Sequence, residues 1–274
     1  MNILLVLIGC LAADPVVVEN AFVRVEVVPD LFLIRYIGVL DKHNWLAPLD
    51  LPQSEGENGE NGDFGGFVCE LVSPKGPELA FPKEPAEIVT KNPLRVVLLG
   101  PESKKFPVRL KLDVQVPMAE GNIIVTVTAV ASGDVPGKFA LRNTACIAQG
   151  TTVRINTSDG EFRPLAGTAS VFPIVNKSFC YWLIPIPSPG IQQHVVLGAH
   201  VPQVSFHKTP YAWTRYCGGK LEEKGTYLEG SNLICTLDGE KREYQVTFQS
   251  PLAEIQPDSP LVLKEEWSLE STNR

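Results

Sequence analysis

Three histidines, His194, His200 and His207, follow one another at spacings of six and seven residues. Imidazole titrates near neutral pH and is a common metal ligand, so such a group could carry acid–base or metal chemistry. The unequal spacing keeps the three from sharing one face of a continuous strand. Close behind come Tyr211, Trp213, Arg215 and Tyr216. Alternation along a strand puts Tyr211, Trp213 and Arg215 on one side. Ring stacking with bidentate hydrogen bonding from that side suits a glycan or a carboxylated sugar. The same residues also suit cross-strand aromatic packing around an arginine stem. A second polar–aromatic cluster, Asp41-Lys42-His43-Asn44-Trp45, has the composition of a small-ligand pocket, or of a loop tacked to the core by Trp45. Arg35, Arg142 and Arg154 are further cations on strand-like segments. The candidates for catalysis are therefore His194, His200 and Arg215. Those for carbohydrate binding are Trp213, Tyr211, Arg215, Trp45, His43 and Arg142. Glu265-Glu266 reads as a charged edge feature rather than an acid–base pair.

The segment Ser54–Asp63 is acidic and glycine-rich. Oxygen ligands from Glu55, Glu57 and Asp63 could wrap a calcium ion, although no bidentate glutamate stands at the expected distance. A solvated loop or a lid explains the same composition. No cofactor other than calcium is expected. GxSxG, P-loop and HExxH patterns do not occur.

At the N-terminus an apolar run from Ile3 to Ile8 leads into Leu7-Ile8-Gly9-Cys10. This has the form of a bacterial lipobox, with Cys10 as the lipidated residue. The run is far short of the roughly 20 apolar residues that span a bilayer. Cleavage before Cys10 predicts a lipid-anchored envelope protein, and cleavage near Ala12 or Ala13 a secreted one. A buried N-terminal strand also suits these residues. Residues 1–13 are thus expected to be a signal and lipobox region, and 14–274 a single domain. The expected location is outside the cytoplasm, with membrane contact only through a lipid anchor.

With net charge −7 and no basic cluster, the surface repels phosphate backbones, so nucleic acid is not an expected partner. The six cysteines show no CxxC spacing, which gives no support to a zinc or thioredoxin-like motif. Buried free thiols acting as small hydrophobes are expected, with one or two disulfides of unassigned pairing the alternative in an oxidising compartment.

The elements that must position these residues are strands. Arg109–Val116 alternates polar and apolar residues without a break, and Ile124–Val130 follows across Glu120-Gly121-Asn122. That is an antiparallel hairpin with one buried face. Similar runs are Phe22–Val28, Phe32–Val39, Arg95–Leu99, Phe139–Ile147, Cys180–Ile186, Val195–Ala199, Leu233–Leu237, Tyr244–Phe248 and Leu261–Leu269. The 22 glycines and 23 prolines disfavour long helices, and short strands at this spacing predict an all-β protein, a sandwich or barrel.

The C-terminal third carries an ordered set of motifs. Tyr227–Asn232 is a glycine/asparagine turn, Tyr244–Leu252 a strand ending in Ser-Pro-Leu, Ile255–Pro260 a proline-rich turn, and Glu265–Leu269 a closing strand. Together with Val18–Pro29 and Gly65-Gly66-Phe67, this order resembles the galactose mutarotase-like domains, nearest an uncharacterised bacterial branch of envelope and secreted proteins. The resemblance implies a β-supersandwich, a large antiparallel β-sandwich with a sugar cleft on one sheet face. It places the family's catalytic glutamate at Thr247, flanked by Gln245 and Gln249. One histidine segment reads Arg142-Asn143-Thr144, and the double-glycine turn runs into Phe67-Val68-Cys69. Without the base and acid that epimerisation needs at these positions, the expectation is carbohydrate binding without that chemistry. The alternatives are a glycan-active epimerase or lyase with a rearranged site, and a structural envelope protein with a vestigial cleft.

Overall fold

The computed structural model describes residues 14–39, 43–47, 66–79, 84–118, 121–148, 150–156, 163–166, 174–176, 181–184, 194–218, 221–238 and 243–272. Their strands begin with β1 (Val16–Glu19), β2 (Val23–Val28), β3 (Leu33–Val39), β4 (Phe67–Ser73), β5 (Gly76–Leu79), β6 (Glu87–Asn92) and β7 (Arg95–Leu99). Next come β8 (Val108–Gln115), β9 (Asn122–Ala131), β10 (Ala140–Ile147), β11 (Thr152–Asn156), β12 (Arg163–Ala166), β13 (Ile174–Asn176) and β14 (Tyr181–Ile184). The last are β15 (His194–Ala199), β16 (Gln203–Lys208), β17 (Tyr211–Cys217), β18 (Leu233–Asp238), β19 (Glu243–Gln249) and β20 (Leu261–Ser271).

They form two antiparallel sheets. The first runs β1-β2-β3-β4-β10-β19-β18-β15-β12, with β5 added beside β4. The second runs β13-β14-β11-β16-β17-β20-β9-β8-β7-β6. The fold is an all-β sandwich, as the strand pattern predicts. The hairpin read from Arg109–Val116 and Ile124–Val130 is β8 and β9, with Leu112 opposite Val127.

Alternation decides which side chains enter the core. In β8, Val108, Leu110, Leu112 and Val114 turn inward; in β20, Leu261, Leu263, Trp267 and Leu269 do the same. The first sheet answers with Val25, Val27, Phe67, Leu71, Leu141, Ala145, Val246 and Phe248, all in the same hydrophobic cluster. Among the strands that the sequence reading did not mark, β4 and β6 escaped it for opposite reasons. β4 is buried on both faces over most of its length, so Phe67-Val68-Cys69 shows no alternation. β6 is almost wholly exposed at the edge of its sheet, so its composition is that of a loop. Just before β4, Gly66 has φ 88, a left-handed conformation that favours glycine. There its N–H donates to Ala47 O and its carbonyl accepts from Cys146 N.

Candidate functional site

On β4, β10 and β19 the residues between the core positions face away from the second sheet. The polar ones are Glu70 on β4, Arg142 and Thr144 on β10, and Gln245, Thr247 and Gln249 on β19, with the apolar Val68 opposite Thr144. Register brings them side by side. Arg142 lies opposite Glu70 on one flank and Gln249 on the other. Thr144 lies opposite Thr247, and their hydroxyls are 2.8 Å apart. Thr247 occupies the position at which the mutarotase-like resemblance places a catalytic glutamate.

One edge of this cluster is walled by the turn that precedes β18. There Glu229 has φ 54 and ψ 14, and Gly230 has φ 60. Arg142 Nε donates to Gln249 Oε1 (3.0 Å), while Nη2 donates to Glu229 Oε1 (3.3 Å) and Oε2 (3.1 Å). Gln249 is fully buried and holds the turn through its amide, which donates to Leu228 O (2.7 Å) and to Ser231 O. The Glu70 carboxyl makes no hydrogen bond among the described residues. Burial pushes its carboxyl above the usual glutamate range, and the Arg142 guanidinium opposes that only in part. A half-buried carboxyl beside a cation, two hydroxyls and two amides can hydrogen-bond the hydroxyls of a polar ligand and exchange a proton with it.

The residues picked out by sequence scatter. Arg142 alone of them stands in this cluster. Trp213 and Arg215 face inward, and both are fully buried. Trp213 packs against Phe206 (4.7 Å between ring centroids), Trp267 (5.5 Å) and Trp45 (6.3 Å). Neither Trp213 nor Trp45 offers a face to a sugar, because both rings are fully buried in the core between the sheets. Arg215 Nε donates to Glu265 Oε2 (2.8 Å) and Nη2 to Glu265 Oε1 (3.0 Å), deep between the sheets. Arg215 is therefore removed from the catalytic and ligand-binding candidates, and Glu265 is a core residue rather than an edge feature. The two aromatic clusters do meet: His43 also touches Tyr211, with ring centroids 5.9 Å apart and both residues half-buried. Tyr216 points the other way and is exposed.

The histidines do not share a site. His200 bonds Glu222 O (2.9 Å) and packs edge-on to Tyr227 (5.5 Å). It thereby braces the segment leading to Glu229. His207 is on the opposite sheet, bonded to Ser205 Oγ (3.0 Å), and burial with the nearby Arg154 lowers its pKa. His194 starts β15 opposite Asp238, and its side chain lies outside the described residues. So do Cys10, Cys180 and the proposed calcium ligands Glu55, Glu57 and Asp63. Among the described residues no group of three or more His, Cys, Asp or Glu is placed to hold a metal ion. Cys69, Cys217 and Cys235 are free thiols. A separate surface cleft of about 400 Å³ lies between residues 134–136 and 254–258, lined by Asp134, Glu254 and Asp258 without an aromatic ring or a cation.

Sequence reasoning missed Glu70 and Glu229. The one charge in the apolar run Phe67–Val72 was a usable signal for Glu70. Nothing local marks Glu229, which reaches Arg142 across 87 residues of chain.

No family model and no curated protein matches the chain. Solved structures do. Slr1438 from Synechocystis sp. PCC 6803 superposes with a TM-score of 0.60 at 12% identity, covering 94% of this chain and 96% of that one. A galactose mutarotase related enzyme from Lactobacillus acidophilus gives 0.59 at 9% identity, covering 94% and 98%. A galactose mutarotase-like protein from Lactobacillus casei ATCC 334 gives 0.58 at 10% identity, covering 93% and 100%. The chain has the galactose mutarotase-like fold.

Proposed function

We propose that this chain binds carbohydrate on the outer face of its first sheet, around Glu70, Arg142, Thr144 and Thr247. The observation that carries the reading is the polar cluster itself. A cation, a carboxyl without a hydrogen bond among the described residues, and paired hydroxyls stand side by side on central strands of a galactose mutarotase-like fold. The names of several similar structures, including the Lactobacillus acidophilus enzyme, point to sugar chemistry. Fold likeness by itself does not assign a reaction. A glycan array probed with the full chain tests the proposal. Saturable binding to one sugar class, weakened at least tenfold in Arg142→Ala, supports it. Absence of binding to every glycan overturns it and favours a structural role.

A second reading is a glycan-active enzyme, an epimerase or lyase, with Glu70 as the proton-transfer group. It is favoured by the upward shift of that carboxyl. Anomeric exchange of the bound sugar, followed by NMR in the native chain and in Glu70→Gln, separates catalysis from binding.

We further propose that the protein works outside the cytoplasm, held by lipid on Cys10 or secreted after cleavage near Ala13. Mass spectrometry of the mature N-terminus distinguishes the two, and an unprocessed Met1 terminus refutes both.

A further inference from the structure

The guanidinium of Arg142 is partly occupied by the chain's own carboxylate. Its Nη2 donates to both oxygens of Glu229, at 3.3 and 3.1 Å, and its Nε to Gln249. Its Nη1 finds no acceptor among the described residues. Nη1 and Nη2 form the fork that receives a carboxylate end-on, and Glu229 uses only half of it. The Glu229 side chain is 47% exposed, so it can leave Arg142 for water with little desolvation cost.

Nothing in the turn depends on the Glu229 carboxylate. Gln249 ties Leu228 O and Ser231 O, Gln249 N donates to Asn232 O (2.9 Å), and Asn232 is locked to Val201 through both its amide atoms. Glu229 also adopts a left-handed backbone, φ 54, which disfavours a non-glycine residue. A side chain that does not hold its own turn, at a strained position, sits on the one cation of the polar cluster. Strain of this kind gathers at ligand clamps and switches.

We propose that Glu229 is a resident stand-in for a ligand carboxylate, and that the site takes a sugar bearing one, a uronic acid residue. The ligand carboxylate replaces Glu229 and engages Nη1 and Nη2 of Arg142 together. The sugar hydroxyls then face Glu70, Thr144 and Thr247. One guanidinium matches one monoanion. The inference rests on the carbohydrate reading and adds the charge of the sugar to it.

The test is calorimetric titration of the full chain with galacturonate and glucuronate trisaccharides, and with their neutral hexose counterparts. Wild type is expected to bind a uronate trisaccharide. Glu229→Gln, which removes the competitor, tightens that binding at least threefold, and Arg142→Gln weakens it at least tenfold. Glu229→Gly is the second variant, because glycine suits the left-handed backbone and keeps the turn folded while deleting the carboxylate; it too binds uronate more tightly. Unchanged or weaker uronate binding in both Glu229 variants makes the ion pair merely structural and overturns the inference. Binding of neutral sugars alone overturns it while leaving the carbohydrate reading intact. No binding of any sugar removes both.

Discussion

Arg215 on β17 and Glu265 on β20 form a two-pronged ion pair, at 2.8 and 3.0 Å, with both side chains fully shielded from water. The pair is woven into both sheets. From the second sheet, Trp267 Nε1 donates to Glu265 Oε2 (2.8 Å). From the first, Asn143 Nδ2 donates to Glu265 Oε1 (2.9 Å), while Arg215 donates to Asn143 O (3.0 Å) and Val246 O (2.7 Å). The rings of Phe248, Phe67 and Trp213 surround the guanidinium at 5.1, 5.3 and 5.9 Å.

Breaking this pair strands a charge in the core. Arg215→Ala or Glu265→Ala is expected to cost about 3–5 kcal/mol of stability. The double variant Arg215→Met/Glu265→Leu, which removes both charges and keeps volume, should recover part of that loss, the rest being the cost of leaving Asn143 Nδ2, Trp267 Nε1, Asn143 O and Val246 O without these partners. Urea unfolding of the three proteins checks it; a double variant less stable than either single one would contradict the desolvation argument.

Trp213 contributes to packing and not to ligand contact. Trp213→Ala should lose about 3–5 kcal/mol through the cavity it leaves among Trp45, Phe206 and Trp267. At a temperature where the variant is still folded, glycan affinity should be unchanged. A selective loss of binding with stability intact would return Trp213 to the site.

The Glu70 carboxyl is shifted upward on folding, chiefly by burial. The folded chain then holds this proton to higher pH than the unfolded chain does. The contribution of Glu70 to stability must therefore fall as pH rises from the ordinary glutamate range through the shifted value. Glu70→Gln should flatten that part of the pH–stability curve and be the more stable protein at neutral pH. Thermal melts across pH 4 to 8 read this out, and an unaltered slope in the variant would assign the titration to another group.

Burial pushes the Cys217 and Cys235 thiols up to about 12. At pH 8 that leaves roughly one thiolate in ten thousand, against about one in four for a free cysteine. Ellman's reagent should label these two residues slowly in the native chain and rapidly in denaturant. Fast native labelling would show that the strands carrying them open readily.

The alternating pattern of β8, β9 and β20 makes the two-sheet architecture legible from sequence, since strand periodicity places successive side chains on opposite faces. The order of motifs from Tyr227 to Leu269 pointed to the fold that the structural neighbours share. Alternation also puts Trp213 and Arg215 on the same face of one strand, as the structure has them. What it does not contain is which face the other sheet covers. That depends on a sheet built from segments far apart in sequence, and it sends Arg215 to Glu265 in the core rather than to a ligand. The polar cluster was decided the same way. Arg142, Glu70, Thr247 and Glu229 are scattered along the chain, and only the pairing of β4, β10 and β19 with the turn before β18 brings them together. Local propensity encodes faces; the pairing of distant strands determines which face becomes core and which becomes site.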